Sequence, residues 1–160
     1  MPKRNAKTTW VVVADGARAR IITVAEGDVR MRELAAWESA EAKKPSRDLV
    51  SDRQGRTHES AGTGTRHAVE ARIEPHRKAK QSFVRDLVRR IERATRQGAF
   101  DSLVLVAPPM VLGELRQSLS RPAAALVSRE VKKDLTRTPL TALAKHLPGV
   151  LPPVNAARGR

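Results

Sequence analysis

The sequence predicts an α/β fold: a mixed β-sheet, antiparallel at its start and parallel later, covered by helices. Three observations predict it. Short β-rich apolar runs at 8–14 and 102–107 end well before helical length. Between them, residues 76–97 repeat apolar side chains at the three- and four-residue spacing of one helical face. Beyond 102, strand-like and helix-like segments alternate, which implies parallel pairing through crossovers. A chain of 160 residues fits one domain with room for a core.

The elements follow in order. Residues 1–7 form a short basic arm. Thr8–Ala14 is apolar on both faces, as a central strand requires. Asp15-Gly16 is a turn dipeptide, and Arg18–Val24 returns as a second strand beside the first. Glu26-Gly27-Asp28 turns the chain again, into a third strand over Val29–Trp37.

Residues 38–75 change character: they are polar, contain Pro45, Gly55, Gly62, Gly64 and Pro75, and follow neither period, so they read as one long loop. Pro75 suits the entrance of the next helix and Gly98 the position past its end. In that helix Ala79, Phe83, Leu87, Val88, Ile91 and Ala94 form the buried face. The remaining face carries Arg77, Lys78, Lys80, Arg85, Arg89, Arg90, Arg93 and Arg96 against only Asp86 and Glu92.

Ser102–Ala107 is another buried strand, and Pro108-Pro109 opens a helix through Leu119. A helical turn over Pro122–Val127 and an edge strand over Ser128–Leu135 follow. Thr138-Pro139 caps a last amphipathic helix, Leu140–Leu147, and residues 148–160 read as a disordered tail.

Charge dominates the composition. Lys and Arg number 31 against 17 Asp and Glu, a net +14 with a pI near 11.4. Such an excess repels itself in a compact state unless an anionic partner neutralises it, and nucleic acid is the commonest such partner. The bland counterpart is a solvated surface rich in Arg. Hydrophobic residues at 40 % and charged residues at 30 % fit a folded domain with polar ends better than a disordered chain.

Cysteine is absent, which excludes disulfides, thiolate zinc ligands and a cysteine nucleophile. The basic start resembles a signal-peptide n-region, but Asp15, Arg18 and Arg20 interrupt the apolar run behind it, so the chain is expected in the cytoplasm. No segment reaches membrane-spanning length, so no membrane partner is expected.

Three stretches together resemble a known family. Trp10-Val-Val-Val-Ala-Asp-Gly-Ala-Arg-Ala-Arg-Ile-Ile22 is similar to the opening strand-turn-strand of the bacterial host attachment protein family. Ser51-Asp-Arg-Gln-Gly-Arg-Thr57 and Gly64-Thr-Arg-His-Ala-Val-Glu70 resemble its central loop. Phe100-Asp-Ser-Leu-Val-Leu-Val-Ala-Pro-Pro109 and Val131-Lys-Lys-Asp-Leu-Thr136 resemble its C-terminal half. The resemblance spans residues 8–147 and rests on order and spacing rather than on any one motif.

It implies a layout similar to the middle domain of archaeo-eukaryotic peptide-chain release factors. In those factors the long loop carries Gly-Gly-Gln. Here the corresponding stretch reads Ala61-Gly-Thr-Gly-Thr-Arg-His67, so RNA or ribosome binding is implied without peptide release. The family name implies a role in attachment to host cells, through a protein partner.

The candidate RNA- or phosphate-binding residues are Arg53, Arg56, Gly62, Gly64, Arg66 and His67 in the loop, and Arg77, Lys78, Arg85, Arg89 and Arg93 on the helix. No Gly-Lys-Ser/Thr makes this a Walker motif. His58, His67 and His76 recur every nine residues, which is not a zinc spacing, and His146 reads as a helix-end residue. No metal, catalytic residue or small-molecule cofactor is therefore expected. Asp15, Asp101, Glu59, Glu70 and Glu74 would have to converge for a metal-dependent nuclease, and Asp15 reads more economically as a turn residue. No Gly-x-Ser-x-Gly elbow supports a serine hydrolase. Trp10, Trp37, Phe83 and Phe100 lie in apolar patterns and read as core, so binding should be directed at the backbone and weakly sequence-specific. Non-catalytic, translation-linked RNA or ribosome binding is the first reading, a protein contact in attachment the second, and the nuclease the third.

Overall fold

The structure is a computed structural model that describes residues 6–28, 30–43 and 64–149, with side chains described from residue 75 onward in the last stretch. Five strands form one sheet in the order β3-β2-β1-β4-β5. They are β1 (Thr8–Ala14), β2 (Arg18–Ala25), β3 (Arg32–Glu38), β4 (Ser102–Val106) and β5 (Val127–Val131). β1 pairs antiparallel with β2 and β2 with β3, whereas β1–β4 and β4–β5 are parallel. The predicted mixed sheet, meander first and parallel strands second, is the observed one.

Alternation sorts the central strands onto two cores. Val12, Ala14, Ala19, Ile21, Leu103 and Leu105 face one way, Val11, Val13, Ile22, Val24, Val104 and Val106 the other, and all are buried. The first face is covered by α2 (Gly64–Arg96), α3 (Pro109–Ser118) and α4 (Arg121–Ala125) through Phe83, Leu87, Ile91, Leu112, Leu115 and Ala123. The second is covered by Leu135, Leu143 and Leu147, the last two from α5 (Leu140–Leu143) and the 3₁₀ turn Ala144–His146 with its exit. Trp10 lies 5.0 Å from Phe100 and Trp37 6.3 Å from Phe83, ring centre to ring centre, so all four aromatic residues pack on the first core. The edge strands are short and charged, with Arg32, Glu33 and Glu38 on β3 and Arg129 and Glu130 on β5, which discourages edge-to-edge pairing. Leu34 has no partner in the β2–β3 register, and this bulge leaves it 49 % exposed.

The expected long loop over 38–75 requires correction. Glu38 ends β3, Ala40–Lys43 forms a helical turn (α1), and α2 begins at Gly64 rather than after Pro75. Pro75 lies inside the helix, where its missing N–H removes one ladder bond. The stretch before it has strong helix formers in Ala68, Glu70, Ala71, Arg72 and Glu74, and these outweigh the proline and the glycine at its start. The expected exit holds: Gly98 has φ +62°, and the Gly98 and Ala99 amides donate to the Thr95 and Ala94 carbonyls, a Schellman ending. Thr138 does not cap α5, whose N-cap position is Pro139 with no side-chain bond. Of the expected arm and tail, residues 1–5 and 150–160 lie outside the described residues.

The β1–β2 turn fixes one end of the sheet. Asp15 Oδ1 accepts from the Ala17 and Arg18 amides at 2.9 and 2.7 Å, while the Thr136 hydroxyl lies 3.2 Å from Oδ2. Gly16 sits at φ +93°, a conformation that side chains resist. Gly16→Ala is expected to cost about 1–3 kcal/mol, measurable as a lower urea midpoint with an unchanged slope.

Candidate functional site

The outer side of α2 presents the largest concentration of like charge among the described residues. Arg77, Lys78, Arg85, Arg89, Arg93 and Arg96 are all exposed. Lys78, Arg85, Arg89 and Arg96 are spaced by seven, four and seven residues, which lines them up along a ridge of about 27 Å. The two acids of this stretch offset only one of them. Asp86 pairs with Arg89 at 3.0 Å. Glu92 accepts at 2.7 Å from both the amide and the hydroxyl of Ser120, which fastens α2 to the start of α4. Arg85, Arg93 and Arg96 have no ion-pair partner among the described residues.

Two of the eight cations assigned to this face lie elsewhere. The Arg90 guanidinium stacks 4.1 Å above the Trp37 ring, so it joins α2 to β3. Lys80 follows the helical spacing of the core stripe: His76, Lys80, Phe83, Leu87, Ile91 and Ala94 succeed one another at steps of three or four. Its stem lies about 3.8 Å from where a β-carbon on Gly16 would sit.

Of the loop candidates, Arg53, Arg56 and Gly62 lie outside the described residues, while Gly64, Arg66 and His67 belong to the first turn of α2 rather than to a loop. His76 is half-buried, and its Nδ1 is buried without a hydrogen-bond partner. Desolvation, and then the neighbouring Lys80 charge, hold its pKa below the ordinary 6.5. The folded chain therefore binds this proton less readily than the unfolded chain. The associated stability is present above the ordinary histidine pKa and is lost as pH falls through the folded value. An NMR titration should place the His76 midpoint below the ordinary histidine value, and Lys80→Met should raise it.

Of the carboxylates considered for a nuclease, Asp15 and Asp101 do not converge, and Glu59, Glu70 and Glu74 lie outside the residues whose side chains are described. Asp15 follows the carboxyl end of β1, whereas Asp101 accepts from the Thr8 amide at 2.8 Å at the opposite end of the same strand pair. That separates them by roughly 20 Å, a strand length. Among the described residues no group of three or more His, Asp or Glu side chains could hold a metal ion, and no helix is long and apolar enough to cross a membrane.

Sheet, helices and charge together define a basic α/β protein with a row of exposed cations along one long helix. The chain belongs to the family described as protein required for attachment to host cells, whose model matches residues 10–147. No curated protein matches the chain. Among solved structures it is similar to an archaeal translation termination factor, at 11 % identity and a TM-score of 0.49, over 81 % of this chain and 31 % of that one. The chain thus corresponds to less than a third of that factor's length, and a likeness at this level carries no argument about activity.

Proposed function

We propose that this protein is a non-catalytic RNA-binding factor that docks the RNA phosphate backbone on α2, with the ribosome as the first candidate partner. The observation that supports the reading is the exposed ridge of Lys78, Arg85, Arg89 and Arg96, flanked by exposed Arg77 on one side and Arg93 on the other, against which Asp86 offsets only Arg89 while Glu92 is engaged by Ser120. A row of cations releases counterions from a polyanion, so affinity should fall steeply with salt. Gly64, Arg66 and His67, in the first turn of α2, and Arg53, Arg56 and Gly62, earlier in the sequence, extend the same contact in this reading. The aromatic rings pack on the core, so bases have no stacking platform and binding tolerates many sequences. Such a partner places the protein in the cytoplasm.

Co-sedimentation with purified ribosomes across a salt series, beside free RNA, tests the reading. Salt-sensitive pelleting with ribosomes in excess of binding to free RNA supports a translation-linked role. Equal, weak binding to both removes the ribosome from it.

The family description favours a second reading, a protein contact in attachment. Loss of surface adhesion on deletion, with unchanged polysome profiles, would select it. A nuclease would require Asp15→Asn to silence RNA cleavage, yet Asp15 Oδ1 already accepts from the Ala17 and Arg18 amides of the turn.

A further inference from the structure

The β1–β2 turn lies at the carboxyl end of the parallel pair β1–β4, the end at which open α/β sheets commonly bind ligands. From β1 the chain turns to β2 on one side, while β4 leads to β5 on the other, so the carboxyl ends of the parallel pair β1–β4 diverge. At this end, beside the Asp15-Gly16 turn, lies a cavity of about 220 Å³ lined by Asp15, Arg18, Lys43, His76, Lys80 and Arg137, among others. Pockets for drug-sized ligands start at roughly 300 Å³, so this one suits a small group or the end of a larger molecule.

Its charge is one-sided. Among the described lining residues four cations meet one carboxylate, Asp15, whose Oδ1 is held by two backbone amides and whose Oδ2 is approached by the Thr136 hydroxyl. Outside the lining, Glu38 serves both Arg18, at 3.1 Å, and Lys43, at 3.3 Å. Lys80 and Arg137 then stand without an ion-pair partner among the described residues. Two uncompensated positive charges match a phosphate monoester, which carries roughly −1.5 to −2 at neutral pH.

The helix pattern argues that this is a built feature. His76 and Lys80 occupy the stripe that Phe83, Leu87 and Ile91 fill with apolar side chains further along α2. Past the sheet's end the stripe faces the cavity instead of the core, and there it turns cationic. The buried, unpartnered Nδ1 of His76 leaves a hydrogen-bonding atom of the same wall unused.

We infer that this cavity binds a phosphate monoester, with Lys80 and Arg137 as its charge partners and Arg18, Lys43 and His76 completing the wall. The site is distinct from the outer ridge of α2 and does not depend on RNA binding there.

Calorimetric titration of the full chain with inorganic phosphate, repeated on Lys80→Ala/Arg137→Ala and on Arg85→Glu/Arg89→Glu/Arg93→Glu, tests it. Saturable binding is expected for the parent chain and the ridge variant, with at least a tenfold loss in the Lys80/Arg137 variant. The His76 ring resonances should shift on titration of the parent chain. Both cavity substitutions are at exposed positions, and circular dichroism checks that the fold is kept. Absence of saturation, or equal binding by the Lys80/Arg137 variant, overturns the proposal. A 5′-phosphorylated oligoribonucleotide that outbinds its 5′-hydroxyl twin only when Lys80 and Arg137 are present identifies an RNA end as the source. Equal binding of the two oligonucleotides, with phosphate still bound, identifies a small phosphorylated metabolite.

Discussion

Replacing Arg85, Arg89 and Arg93 together by glutamate is expected to weaken RNA binding on the order of a hundredfold at near-physiological salt. Each substitution changes the local charge by two units on an exposed helix surface. None of the three side chains enters a core cluster, and the Arg89–Asp86 pair is exposed, so its loss costs little stability. The thermal midpoint should therefore stay close to that of the parent chain while affinity, read by fluorescence anisotropy with a labelled oligoribonucleotide, collapses. Parent-like affinity in a folded variant would remove the α2 ridge from the binding surface.

Ending the chain after Arg137 is expected to abolish cooperative folding. Val11, Val13, Ile22, Val24, Val104 and Val106 form a continuous apolar sheet face. Leu143 and Leu147 are at most 1 % exposed over it, and Leu140 packs at its margin. Truncation uncovers that face and leaves Leu135 without its neighbours. Even Leu143→Ala alone should cost about 2–5 kcal/mol, a large part of the roughly 5–15 kcal/mol that holds a domain together. Circular dichroism melts of both variants check this. A truncated chain that melts sharply at the parent temperature would show that residues 138–160 do not stabilise the second core.

The sheet was readable because its strands obey local rules. Val11–Ala14 and Leu103–Val106 are apolar on both faces, which only strands flanked on both sides require, and β1 and β4 lie at the middle of the sheet. Gly16 and Gly98 mark turns that need positive φ, and both adopt it. The start of α2 was misread because a proline inside a helix and a proline that opens one look alike in sequence. Lys80 was misplaced for a different reason. Counting back from Phe83 and Leu87 by helical steps reaches Lys80 and His76, and that signal lay in the sequence. Its meaning required knowing where the sheet ends beneath the helix. The remainder of the cavity was hidden because Arg18, Lys43 and Arg137 come from three distant segments that only the folded chain assembles.

The central claim, that the α2 ridge contacts RNA phosphates, is tested most directly by the salt dependence of binding in the parent chain and in Arg85→Gln/Arg89→Gln/Arg93→Gln. Removing three phosphate contacts should make the slope of log affinity against log salt shallower by about 2 for a single-stranded RNA, at roughly 0.7 per contact. Parallel lines for the two proteins would contradict it, since they would mean that none of the three arginines neutralises a phosphate.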